Sequence, residues 1–136
     1  MIKLSSEEIK YIGLFEKETG TLVKDCILQN DNEITFLVKE GQIGLALGKK
    51  GEKIKKIKQL LGKEIHVYEH SEDPQKFVAN LFYPIKVEKI DIKTDEIIIY
   101  VDPNEKKRAI GGGGKKIKAV REIINRHLGI DKITVQ

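Results

Sequence analysis

Tryptophan is absent, cysteine occurs once, and aromatic residues make up only 6% of the chain. The single cysteine, Cys26, excludes an internal disulfide framework and any multi-cysteine zinc or iron–sulfur site. No apolar run approaches the ~20 residues that a bilayer-spanning helix needs, so no membrane partner is expected. The opening residues, Met1-Ile2-Lys3-Leu4-Ser5-Ser6-Glu7-Glu8, lack the apolar core and small-residue cleavage site of a signal peptide. A cytoplasmic protein is expected. His66, His70 and His127 share no metal-ligating spacing, so neither a metal nor a cofactor is expected. The acid pairs Glu7-Glu8, Glu72-Asp73 and Asp95-Glu96 fall at a helix cap, a helix start and a hairpin turn, where carboxylates serve local structure. Cys26 sits in a strand pattern without an evident catalytic partner and reads as a small buried hydrophobe. No catalytic constellation emerges.

What the 136 residues do contain is aliphatic and charged: 40% hydrophobic, 34% charged, net charge +4. That balance suits a globular chain with a lean aliphatic core. The charge is unevenly placed. Residues 1–40 carry five Lys/Arg against eight Asp/Glu, and residues 41–68 carry seven against two. Residues 69–105 then carry four against nine, and residues 106–136 nine against two. Acidic and basic blocks alternate twice, as expected of one unit used twice, each with a cationic face suited to a polyanion.

Sliding the chain by 63 positions confirms the repetition in the sequence itself. It pairs Ile27 with Ile90, Glu33 with Glu96, Ile34 with Ile97 and Val38 with Val101. It also pairs Ala46 with Ala109, Gly48 with Gly111, Gly51 with Gly114, Lys53 with Lys116, Ile54 with Ile117 and Lys55 with Lys118. Each copy predicts the same elements in the order α-β-β-α-α-β. The first helix opens on a Ser-x-x-Glu capping box at Ser5–Glu8, carries Ile9, Ile12 and Phe15, and stops at Gly20. Its counterpart opens on Asp73-Pro74, buries Phe77, Val78, Leu81 and Phe82, and ends at Pro84. Strands follow at about 22–29 and 33–39, and at about 85–92 and 97–101, turning at Asn30-Asp31-Asn32 and Lys93-Thr94-Asp95. A short helix, a glycine turn and a longer amphipathic helix come next. The longer helix buries Ile54, Ile57, Leu60 and Leu61 in copy one, and Ile117, Val120, Ile123, Ile124 and Leu128 in copy two. Gly62 and Gly129 cap these helices, and a third strand closes each copy at Ile65–Tyr68 and Lys132–Val135. The expected class is α+β: in each copy, a three-stranded sheet backed by helices. Units this small have small cores, so the copies are expected to pack together, with Tyr68, Phe77, Phe82 and Tyr83 at the junction.

The glycine turns, Gly48-Lys49-Lys50-Gly51 and Gly111-Gly112-Gly113-Gly114, lie just before the N-terminus of the longer helix. There the positive end of the helix dipole favours a phosphate. Lys49, Lys50 and Lys53 add charge in the first copy; Lys115 and Lys116, with Lys118 and Arg121 behind them, add it in the second. A Walker A loop requires Gly-Lys followed by Ser or Thr, whereas Gly114-Lys115 is followed by Lys116. A Gly-x-Gly-x-x-Gly dinucleotide loop fails too, because position 116 is Lys. Phosphate contacted without being transferred is the expectation.

An α-β-β-α-α-β unit with Gly-x-x-Gly between two helices resembles the type II KH domain, which clamps about four nucleotides of single-stranded nucleic acid at that loop. Gly44-Leu45-Ala46-Leu47-Gly48-Lys49-Lys50-Gly51, followed by Ser71-Glu72-Asp73-Pro74 and Phe77-Val78-Ala79-Asn80, resembles the paired KH region of the NusA transcription factors. Arg108-Ala109-Ile110-Gly111 is similar to the matching stretch of that family's second KH unit. The resemblance implies two tandem type II KH domains, residues 1–70 and 71–136. It implies single-stranded RNA as partner, gripped by Gly48, Lys49, Lys50, Gly51, Lys53, Arg108, Gly111, Gly112, Gly113, Gly114, Lys115 and Lys116. Bases would enter an apolar groove lined by Ile43, Leu47 and Ile54 in copy one and by Ile110 and Ile117 in copy two. The implied role is transcription elongation or termination without catalysis. The polymerase-binding and S1 domains of the bacterial relatives have no counterpart in these residues, as in the short archaeal form, so a contact with RNA polymerase stays open. In the second loop Gly112-Gly113 replaces the basic residue usual in the family, leaving the grip to backbone amides and the neighbouring lysines. The alternatives are a KH protein of ribosome assembly and a scaffold whose KH fold binds protein.

Overall fold

The computed structural model describes residues 3–30 and 32–136. The chain divides into two compact units, one ending at Ser71 and the other spanning Glu72 to Gln136.

In the first unit, α1 (Ser6–Thr19) is followed by β1 (Val23–Asn30) and β2 (Glu33–Val38). Ser5 caps α1: its Oγ accepts from the Glu8 N–H at 3.1 Å, and the Glu8 carboxylate accepts from the Ser5 N–H at 2.8 Å. Such a reciprocal cap stabilises a helix start by about 1 kcal/mol. Gly20, in left-handed conformation, ends it. Asn30 Oδ1 accepts from the Asn32 N–H at 2.7 Å, tightening the β1–β2 turn; Asp31, expected in that turn, lies outside the described residues.

β1 pairs antiparallel with β2, and β2 pairs in parallel with β3 (Glu64–Glu69), Ile34 standing opposite Ile65. A parallel pair demands a long crossover. Residues 39–63 supply it as α2 (Ile43–Leu47), a single 3-10 turn (Lys49–Gly51) and α3 (Glu52–Leu61). The glycine loop is therefore part of the crossover, held between two helices that pack on the sheet. Phe15, Cys26, Ile34, Phe36, Val38, Ala46, Ile57 and Ile65 form the buried cluster, with the Phe15 and Phe36 rings stacked at 4.2 Å. Each such large side chain contributes roughly 1.5–3 kcal/mol by leaving water.

The second unit repeats the plan: α4 (Pro74–Asn80), β4 (Val87–Ile92), β5 (Glu96–Val101), α5 (Lys106–Ile110), a 3-10 turn (Gly112–Gly114), α6 (Lys115–Leu128) and β6 (Lys132–Val135). β4 and β5 are antiparallel; β5 and β6 are parallel, Ile97 opposite Ile133. Asp73 caps α4 by accepting from the Gln75 N–H at 3.0 Å. The Phe77 ring meets His127 edge-on at 5.4 Å. The 63-residue offset holds from β2 through the start of α6 and then fails, because α6 has 14 residues where α3 has 10.

Several expectations need correcting. Ile9 and Leu60 are 58% and 54% exposed, since each lies off the stripe set by Phe15 and by Ile57. Tyr83, expected in a packed junction, is 72% exposed. α4 ends at Asn80 rather than at Pro84: Phe82, Tyr83 and Ile85 donate to the carbonyls three residues back. A proline disfavours the helical region at the residue before it, and here the chain tightens into turns ahead of Pro84. Among the described residues, no helix is long and apolar enough to cross a membrane.

Candidate nucleic-acid interface

The first loop is held from below. Glu69, at the end of β3, accepts from the N–H groups of Gly41 and Ile43 at 3.0 and 3.2 Å, so a sheet residue fixes the start of α2. The Lys53 ammonium donates to the carbonyls of Thr19 and Leu45, both at 3.2 Å. One lysine thus pins α3 to the end of α1 and to α2. Half-buried and engaged in this way, Lys53 steadies the loop from within, while Lys49 and Lys50 stand exposed at its crest.

Backbone geometry explains the glycines. Gly48 has φ 72° and ψ −178°, and Gly111 has φ 81° and ψ 161°. That region is essentially reserved for glycine. A Cβ on Gly48 would stand 2.8 Å from Cγ of Lys53, and one on Gly111 would stand 2.7 Å from the backbone N of Lys116. In both copies the duplicated lysine closes on the first loop glycine, through its side chain at Gly48 and through its backbone at Gly111. Between the glycines, Lys50 has φ 56°, the one non-glycine residue at positive φ among those described. An αL lysine is strained by roughly 1–2 kcal/mol, and its counterpart Gly113 is not.

Gly51 and Gly114 are the N-caps of α3 and α6, and neither helix has a side-chain cap. The first turn of each presents amides and the positive dipole end unopposed by a capping oxygen. α3 has Glu52 in its first turn; α6 has no acid there and begins Lys115-Lys116. Lys115 is exposed and Lys116 half-buried. Burial pulls the Lys116 ammonium down to a pKa of about 8. Arg108 is exposed on α5, 3.3 Å from Glu105.

Lys49, Lys50 and Lys53 line one open hollow of about 780 Å³, together with Lys55 and Lys56 of α3 and the acids Glu18 and Glu52. The five expected groove residues, Ile43, Leu47, Ile54, Ile110 and Ile117, are all half-buried. Ile43 and Ile54 lean on the first core cluster, which leaves them a partial apolar face. Two participants escaped sequence reasoning. Leu45 is 48% exposed, because α2 turns Ala46 inward. Glu69 acts across 26 residues, and only strand register brings it to α2. Among the described residues, no group of three or more His, Cys, Asp or Glu is placed to hold a metal ion.

Comparison with known proteins gives two overlapping family matches. A family profile described as a KH domain matches residues 8–89, and one described as a NusA-like second KH domain matches residues 74–136. The chain is 38% identical to the probable transcription termination protein NusA of Methanocaldococcus jannaschii, over 98% of this chain and 75% of that protein. It is 41% identical to the protein of the same name in Methanococcus vannielii, over 98% and 79% respectively. The Halobacterium salinarum protein of that name is 31% identical, over 97% of this chain and 96% of its own. The crystal structure of APE1850 superposes with a TM-score of 0.86 at 36% identity, covering 98% of this chain and 100% of that one. Two sheets of like topology, two glycine loops at one offset and these matches agree: the chain belongs to the NusA-like family of paired KH domains.

Proposed function

We propose that this protein binds single-stranded RNA through both glycine loops and acts, like the relatives named for it, in transcription termination. It is a binder without catalysis, working in the cytoplasm, with its two RNA-binding domains at residues 1–70 and 71–136. The observation that carries the reading is the repeated loop itself. In each copy a glycine-only backbone turn precedes a helix start with no side-chain cap, inside a lysine-rich surface. Phosphates would sit at the helix starts against Lys49, Lys50, Lys115 and the backbone of residues 111–114, with Arg108 beside them. Bases would meet Ile43, Leu47 and Ile54, or Ile110 and Ile117. Lys53 and Lys116 would support the grip from beneath. RNA polymerase, implied by the family resemblance, is the second partner to test.

The decisive variant is Lys49→Asp/Lys50→Asp. Both side chains are exposed, so the thermal midpoint should scarcely move while two attractive charges become repulsive beside a phosphate. Filter binding to a single-stranded RNA pool should show affinity reduced at least tenfold. Unchanged affinity in the folded variant would remove the loop from the interface; no saturable binding by the wild type would favour the scaffold reading.

A further inference from the structure

The outer face of α3 continues the charge of the first loop. The helix turns Ile54, Ile57 and Leu61 inward and leaves Lys55, Lys56, Lys58 and Gln59 exposed. The hollow that opens at Lys49 and Lys50 shares Lys55 and Gln59 with a second hollow of about 610 Å³, which runs on to Gly62, Lys63 and Asn32. The two hollows form one track along a ten-residue helix, about 15 Å long.

A charged helix face is often neutral through its own ion pairs, and part of this one is. Lys56 pairs with Glu18 at 2.9 Å and Lys58 with Glu64 at 3.0 Å. Lys55 lies between them in the shared wall and has no acid partner among the described residues, like Lys49 and Lys50 at the crest. The second unit provides an internal contrast at the same offset. Lys118 matches Lys55 and Arg121 matches Lys58, but Ala119 and Glu122 stand where Lys56 and Gln59 stand in the first unit. In the second unit this face therefore lacks the cation of Lys56 and gains an acid at the Gln59 position.

We propose that single-stranded RNA leaving the first loop follows this face of α3, with Lys55 as its next phosphate contact and the Gly62–Lys63 end as its exit. The proposal rests on the loop reading above. A row of exposed lysines joined to a phosphate-gripping loop follows a flexible polyanion backbone without reading its bases, as single-strand grooves do. The face adds preference for longer RNA rather than sequence specificity.

The test uses the full chain with Lys55→Gln and Lys55→Glu, and Lys49→Asp/Lys50→Asp as reference. Fluorescence anisotropy across a salt series would follow single-stranded RNAs of about four and about twelve nucleotides. Lys55→Gln should weaken the longer RNA about threefold and make its log–log salt slope shallower by about 0.7; Lys55→Glu should weaken it about tenfold. Both should bind the short RNA within twofold of wild type. Long-RNA affinity unaffected by Lys55→Glu, or equal losses on both lengths, would overturn the track while the loop reading stands on the reference variant. If the reference variant binds both lengths normally, the loop reading falls and the track falls with it. A poly-glutamate probe bound as tightly as the longer RNA, and lost in Lys55→Glu, would overturn the proposal in favour of an acidic protein surface.

Discussion

Gly48 and Gly111 do different work from Gly51 and Gly114, although sequence shows only Gly-x-x-Gly. The first pair lie in the glycine-only region with a lysine packed against the missing side chain. The second pair are ordinary αL caps, with nothing within 4 Å of a Cβ at Gly51 and only the Ile117 side chain at 3.8 Å from one at Gly114. Gly111→Ala should therefore cost at least about 2 kcal/mol, since a backbone nitrogen rather than a flexible chain end must move. Gly51→Ala should cost about 1 kcal/mol, the αL penalty less the entropy removed from the unfolded chain. Urea denaturation of both variants checks this ordering, and equal midpoints would show that the close approach at Lys116 is not rigid. Lys50 carries strain that Gly113 avoids, so the first loop keeps a charge at its crest against backbone preference.

At the scale of elements, α6 begins with two lysines at its positive dipole end, and burial brings one of them, Lys116, to a pKa of about 8. The unfolded chain holds that proton up to about 10.5, so between these values it binds more protons than the folded chain. Stability should rise with pH from about 8 towards 10.5; below 8 the full penalty of the buried ammonium is present. The gain is on the order of 2 kcal/mol. Denaturant midpoints at pH 7.5 and 9.5 should differ in the wild type and converge in Lys116→Met; the same difference in both would acquit Lys116. The elements around this helix were largely legible beforehand. Caps at Ser5, Gly20, Gly62, Asp73 and Gly129, and the loops at 48–51 and 111–114, follow from local chemistry acting over a few residues. The position of Glu69 under α2 and the inward turn of Lys53 were not legible, because both depend on which elements the sheet and crossover bring side by side. Periodicity likewise could not tell that Ile9 and Leu60 face water, since a stripe drawn on one helix does not show how wide its partner is.

For the whole molecule, the consequence of duplication is bivalency. A single-stranded RNA long enough to engage both loops converts the second contact into an intramolecular event, and avidity can then exceed either affinity by about 10²–10⁴. With roughly four to six phosphates neutralised, the log–log salt slope should be about −3 to −4. Duplex RNA of the same sequence should bind far more weakly, because its bases are not free to be splayed. The intact chain can be cut down to one working loop without dividing it. Lys49→Asp/Lys50→Asp disables the first loop. Gly112→Asp disables the second, at a position with ordinary φ and open space around its missing side chain, where an aspartate introduces charge without strain. On an RNA long enough to engage both loops, each variant should lose at least tenfold in affinity and about half the slope. On about four nucleotides, Gly112→Asp should leave nearly all binding to the charged first loop. If Gly112→Asp leaves both affinity and slope on long RNA unaltered, the all-glycine loop contributes no phosphate contact, and the protein binds RNA through its first domain alone.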